Sequence, residues 1–240
     1  MTAAARVRSP SRRLLAAELR LFARDPLTLT FVVVFPVVTM LIIGGSFGDE
    51  PGHGFPVAPS HWYVASYVTV VVGATGLVML PVHIASYRER GVLRRFAAAG
   101  FPRWSFAVAV ATALLLAVAA PVYGVPRVDQ PLRVAAGLVV GTVAFVSLGV
   151  LLGTLLPSAR AAQAIGLVLF FPSFLLGVGG PPPSVMSDTL RTVADRLPLA
   201  LANRAIREPW LGLGDATGPL VAVTLLAVVA TALAGRRTSL

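Results

Sequence analysis

The residues able to do chemistry in this 240-residue chain are few and far apart. There is no cysteine, which excludes thiolate catalysis, disulfides and cysteine-ligated zinc or iron–sulfur centres. There is no lysine either. All 20 basic residues are arginines, so a phosphate-cradling G-x-x-x-x-G-K-[ST] loop is impossible and ATP chemistry would have to belong to another chain. Three histidines remain. His53 and His61 stand near Asp49 and Glu50, residue types that hold metals, but flexible Gly and Pro separate them and no metal is expected. His83 falls near the end of an apolar stretch; a proton relay there would need intramembrane carboxylates or a second histidine, so an interfacial packing role fits better. An enzyme working in the membrane would need clustered His, Asp or Glu, whereas the ten acids are scattered through polar connections. The chain is expected to be non-catalytic.

The elements that must carry these residues are membrane spans. Hydrophobic residues make up 56% of the chain, charged ones only 12%, and mean hydropathy is +0.82, where a soluble domain carries roughly 25% charged residues. A net charge of +10 suggests a nucleic-acid partner, but too few polar residues are present to build a folded basic face. About 20 apolar residues cross the hydrocarbon layer, and six stretches approach or meet that length: 27–47, 64–86, 104–125, 132–156, 161–178 and a shorter 219–234. None contains Asp or Glu, and Arg133 at the start of the fourth is their only arginine. Arginine is retained on the cytoplasmic side. With the N-terminus inside, 14 arginines fall on that side and six (Arg127, Arg133, Arg191, Arg196, Arg204, Arg207) on the other, together with seven of the ten acids. The reading is one all-α transmembrane domain over 1–240, multi-pass, both termini cytoplasmic, in a bacterial plasma membrane. The bacterial source rests on the Ala-, Gly- and Arg-rich, lysine-free composition of a GC-rich genome.

Three features go beyond hydropathy. In 11–25, SRRLLAAELRLFARD, Leu15, Leu19 and Phe22 share one helical face and Arg13, Arg20 and Arg24 another, with Glu18 between, as in a basic amphipathic helix lying in the headgroup layer within segment 1–26. In the loop 87–103, Tyr87, Arg88, Glu89, Arg90, Gly91, Val92, Leu93, Arg94, Arg95 and Phe96 fit either a solvated basic loop or a short amphipathic helix docking on a cytoplasmic partner. The external connection 179–218 opens GGPPP, then offers Ser184 as a helix cap. Met186, Leu190, Val193 and Leu197 follow at helical spacing, Pro198 breaks the run, and a second helix leads to Trp210 at the membrane interface. Such a connection is either a re-entrant hairpin packed between spans five and six or a lid on the surface. Gly137, Gly141, Gly149 and Gly153 line one stripe of span four and let a neighbouring helix of the same chain approach closely.

The motifs ELRLFARDP (18–26), Phe35-Pro36, YRERGVLRRF (87–96), LGVLLGT (148–154), FLLGVGGPPP (174–183) and RLPLA (196–200), in this order, resemble the membrane subunit of ABC-2 type exporters over nearly the whole chain. The resemblance implies a six-helix half that dimerises with itself or a closely related permease. Each half rests on a separate ATP-binding-cassette subunit, which holds the ATP and magnesium; no cofactor is implied in this chain. The loop 87–96 would be the coupling helix, and the N-terminal helix would lie near the ATPase. A translocation path lined by spans two and five would involve Tyr67, Thr75, Met79, Phe170, Phe171 and Phe174, with Leu175 and Leu176 as an outer plug. Uncharged, aromatic spans favour a hydrophobic or amphipathic cargo such as a drug, antibiotic or lipid, the efflux type. Export of a polysaccharide or lipid-linked glycan, or a non-transporting sensor or immunity role, is the alternative.

Overall fold

The computed structural model describes residues 24–47, 50–52, 54–91 and 102–238. Arg13, Leu15, Glu18, Leu19, Arg20 and Phe22 of the expected interfacial helix, Val92, Leu93, Arg94, Arg95 and Phe96 of the expected coupling helix, and Asp49 and His53 lie outside them. Among the described residues, five helices are long and apolar enough to cross a bilayer: α1 Pro26–Ser46, α2 Pro59–Glu89, α4 Pro131–Leu155, α5 Ala159–Gly177 and the Thr217–Arg236 portion of α8. Between α2 and α4 runs α3, Pro102–Tyr123, whose apolar part Val108–Tyr123 is shorter. Two further helices, α6 Asp188–Ala194 and α7 Pro198–Trp210, precede α8, Thr217–Thr238.

Local sequence explains several ends. Asp25 caps α1, its Oδ1 accepting the N–H groups of Leu27 (3.1 Å) and Thr28 (3.2 Å) ahead of Pro26. Gly124 stops α3 at φ +71°, a backbone that only glycine adopts without strain. Thr217 donates to Asp215 through its N–H (3.2 Å) and hydroxyl (2.7 Å), so α8 starts two residues before, and runs past, the expected 219–234.

Two prolines reshape the spans they sit in. A proline inside a helix lacks an N–H and its ring presses on the carbonyl four residues back. Ahead of Pro36 and Pro81 the backbone widens into π-helical stretches, Leu29–Val34 and Ala74–Met79, and the N–H groups of Phe35 and Leu80 reach back five residues to the carbonyls of Thr30 and Thr75. The carbonyl of Leu77, four before Pro81, instead faces Gly166 of α5, where a side chain would collide with it.

Burial singles out α2. In its most apolar stretch 83% of residues are buried, against 28% in α1 and α5 and 22% in α8. It runs up the middle of the chain, touching α1, α3, α4, α5 and α7. Its contact with α4 is backbone on backbone: a Cβ on Gly149 would lie 2.5 Å from the carbonyl oxygen of Gly76, and one on Gly76 would strike that of Phe145. Gly153 meets Ile84 of α2, and Gly137 meets Ala205 of α7. The glycine stripe therefore serves packing within the chain.

The external connection departs from its expected form. Ser184 caps no helix; it sits in a short 3-10 turn, Pro183–Val185, and donates to Gly54 O at 2.7 Å, while α6 begins four residues later at Asp188. Leu190 and Val193, expected on a buried face, are 47% and 46% exposed, because α6 lies on the rim and only its Ala194 is buried. α7 does the penetrating. It wedges among α2, α4, α5 and α8 rather than only between the fifth and sixth spans. Trp210 is covered by protein: it is 6% exposed and donates its indole N–H to Pro126 O at 3.0 Å, fastening α7 to the turn before α4.

Candidate functional site

At the end of the chain reached by α2's last turn, four side chains tie together segments that the sequence leaves unconnected. His83 sits one residue before the last two turns of α2. Its Nδ1 lies 2.8 Å from Met79 O and its Nε2 2.7 Å from Asp25 Oδ2, the same oxygen that accepts the Thr28 hydroxyl at 2.6 Å. A backbone carbonyl can only accept, so Nδ1 carries a proton. Burial pushes the Asp25 pKa up, but the Thr28 hydroxyl and N–H together with His83 outweigh it, and the net shift is downward. Ionised Asp25 thus faces the second ring nitrogen, Nε2, at hydrogen-bond distance. His83 is therefore a cross-link between the entry to α1 and the base of α2, not a solitary packing residue, and its partner lay 58 residues away in sequence.

One turn on, Arg88 donates through Nη1 to Thr154 O at 2.6 Å and through Nη2 to Leu156 O, satisfying carbonyls at the C-terminal end of α4. Glu89 Oε1 accepts the Ala159 N–H at 3.0 Å, and Ser158 Oγ accepts that of Ala161 at 3.1 Å, so the two side chains jointly cap α5. Tyr87 packs edge-on to the His83 ring at 6.2 Å. Expected to open a separate coupling helix, Tyr87, Arg88 and Glu89 instead form the last turn of α2, and Gly91 ends it at φ +68°. Arg90 and Gly91 are exposed, as is Arg24 beside the elbow at Asp25. The loop that follows thus springs from a base pinned to α1, α4 and α5.

The residues expected along a path fall into two groups. Tyr67, Thr75, Met79, Phe170 and Phe174 are buried inside this single chain, each at most 3% exposed. Phe171 and Leu175 face outward at 37% and 53%, with Leu176 between the two conditions. Phe35 of α1, quoted above only for its place before Pro36, is the hub of the aromatic group, with ring centroids 5.2 Å from Phe174 and 5.9 Å from both Phe170 and Phe171. Phe170 and Phe174 stack at 5.9 Å, and Tyr67 meets Phe174 edge-on at 6.0 Å. The cluster fastens α1, α2 and α5 together.

At the opposite end α7 brings polar groups inside. Asn203 donates to Gly177 O (3.0 Å) and Tyr63 to Gly180 O (3.0 Å), holding the glycine-rich exit from α5. Arg207 is 4% exposed and its guanidinium lies 3.6 Å over the Trp62 ring. Burial pushes its pKa down to about 9, a fall that Arg204 deepens and Glu208 opposes. Among the described residues no three His, Asp or Glu side chains converge in a metal-binding group.

A family model described as "ABC-2 type transporter" matches residues 11–210 of the chain. No curated protein and no solved structure matches it.

Proposed function

The chain belongs to the ABC-2 type transporter family, making it an all-α, multi-pass membrane permease rather than the catalytic part of its transporter, and we propose that it exports hydrophobic or amphipathic small molecules from the cytoplasm, driven by a separate ATPase. The observation that carries this reading is the stitched base of α2. A subunit that pulls on the loop after Gly91 pulls on a helix joined to α4 by Arg88, to α5 by Glu89 and to α1 through His83 and Asp25. Force applied at that loop therefore moves the bundle as a unit instead of unwinding one helix. Since α2 is interior to the chain, rocking of whole chains against each other supplies the path more naturally than a pore within one chain. A pair of such permeases with two ATPases is the assembly that fits. The arginine asymmetry supports a cytoplasmic α2 base and cytoplasmic termini. The apolar, aromatic spans favour a lipophilic cargo over a glycan.

The test is purification of the chain from native membranes in mild detergent. An ATP-hydrolysing subunit should co-purify with the wild type, and Arg90→Glu, which reverses an exposed charge at the loop's root, should weaken that association while the melting temperature holds. Reconstituted with that subunit, the complex should move a lipophilic dye in an ATP-dependent manner. Transport of a hydrophilic glycan but no dye would overturn the cargo assignment, and absence of any ATPase from the wild-type preparation would overturn the exporter reading.

A further inference from the structure

Among the described residues, no carboxylate forms an ion pair with the buried cation Arg207. Its single side-chain hydrogen bond, Nη1 to Ser66 Oγ, is long at 3.5 Å, and its Nε is buried with no partner. The acids nearest to it are already engaged: Arg204 holds Glu208 at 2.7 Å and Asp195 at 3.4 Å. A charge withdrawn from water and left unmatched is strongly unfavourable, and proteins that keep one usually put it to use. Arg207 lines a depression shared with Trp62, Arg204, Gly177, Gly180 and Leu176, at the junction of α2, α5 and α7. One wall is thus cationic with an aromatic floor; the carboxylate in the lining, Asp195, is paired with Arg204, and the remaining lining is apolar or glycine backbone, so Arg207 is left without an acid there. That combination suits an oxyanion carried on a hydrocarbon tail: the guanidinium donates to the oxyanion in charge-assisted bonds, and the tail lies along Leu176 and the open flank of α5, where Leu175 is 53% exposed.

We propose that this depression binds the phosphate or carboxylate group of an anionic amphiphile, with Arg207 as the recognising residue. On the exporter reading, the amphiphile is either a cargo or a lipid of the bilayer. The binding itself can be measured without transport, so failure of one claim is distinguishable from failure of the other.

The probe is lysophosphatidic acid, titrated into the purified full chain in a neutral maltoside detergent, with lysophosphatidylcholine of equal chain length and inorganic phosphate as comparisons. Trp62 reports directly, because its ring underlies the guanidinium; Trp104→Phe removes a second source of emission, and the third, Trp210, is measured as background in the Trp62→Phe variant. Lysophosphatidic acid should give a saturable emission change that Trp62→Phe abolishes. Lysophosphatidylcholine and inorganic phosphate should require roughly tenfold higher concentrations or more, as expected when a charge-assisted contact or the tail's burial is lost. Arg207→Gln should lose the response and Arg207→Lys keep part of it. Should Arg207→Gln fail to fold, the wild-type melting temperature decides: a rise with lysophosphatidic acid and none with lysophosphatidylcholine supports the site. An equal response to the two lysolipids, or an unchanged response in folded Arg207→Gln, overturns it, and inorganic phosphate matching lysophosphatidic acid overturns the amphiphile. In phosphatidylcholine nanodiscs, occupancy by added phosphatidylglycerol identifies a bilayer lipid as the source, whereas response to lysophosphatidic acid alone identifies a monomeric amphiphile.

Discussion

Gly149→Ala places one methyl group at the closest seam of the bundle, and its effect can be worked out from the geometry. The added carbon would lie 2.5 Å from Gly76 O and 3.0 Å from two atoms of Leu80. An ordinary carbon–oxygen contact is longer by nearly 1 Å, on the scale of the roughly 3.3–3.6 Å seen even for attractive C–H···O pairs. The obstacle is backbone, which cannot rotate aside as a side chain does, so α2 and α4 must separate along the turns that hold Gly76, Leu80 and Gly153. Overpacking of this kind costs about 1–3 kcal/mol. By the scaling of soluble domains of similar size, that is roughly 2–12 °C in melting temperature. The matched control is Gly141→Ala in the same helix, whose Cβ would meet only Ala202 Cβ at 3.9 Å, an ordinary contact; it should leave stability level or raise it, since alanine is the better helix former. The assay is thermal unfolding of both purified variants in the same detergent. Combining Gly149→Ala with Gly76→Ala should cost less than the sum of the two, because one separation relieves both collisions. If Gly149→Ala melts with the wild type, or Gly141→Ala falls as far, the backbone-on-backbone seam is refuted.

Two further outcomes follow from the base of α2. Asp25 has a folded-state pKa below its ordinary 3.8, so the stability its ionised form contributes is present above that value and lost as pH falls through the folded one. Asp25→Asn should therefore lower the melting temperature near neutral pH, and the gap from wild type should close in strong acid; a pH-independent gap would contradict a stabilising Asp25 carboxylate. Arg88→Ala strands carbonyls at Thr154 and Leu156 and should cost about 2 kcal/mol. Beyond that, it should lower dye transported per ATP hydrolysed in the reconstituted complex, and an unchanged ratio would mean that Arg88 carries no force.

Much of the fold is legible in sequence because each long helix announces itself through an unbroken apolar run, and prolines and glycines mark its ends. The helix packed at the centre is not. α2 is no more apolar than α1 or α8, and only its small residues, Gly73, Gly76, Ala65 and Ser66, hint that neighbours come close on every side. Spacing misled at Leu190 and Val193, where an apolar face met no partner. In the motif YRERG, Arg88 reaches the C-terminal end of α4 and Glu89, itself exposed, the first turn of α5, helix ends that hydropathy cannot place. The His83–Asp25 pair joins residues 58 apart, and Arg207, one of six arginines on the arginine-poor side, is buried because α7 packs among α2, α4, α5 and α8. Such pairings depend on which helices become neighbours, and one sequence read alone carries no record of that.

The widened turns before Pro36 and Pro81 set an angular phase. An α-helix advances about 100° per residue, and a π-helical turn takes up one residue more than an α-turn, so the halves of α2 on either side of Ala74–Met79 are rotated out of step with each other. Tyr63 and Tyr67 point toward the aromatic hub while His83, Arg88 and Glu89 address the elbow of α1 and the turn joining α4 to α5, directions that a uniform α-helix of the same sequence would not offer together. The proline and its widened turn act as a phase shifter, letting one rod carry two unrelated sets of bearings, one toward each of its ends.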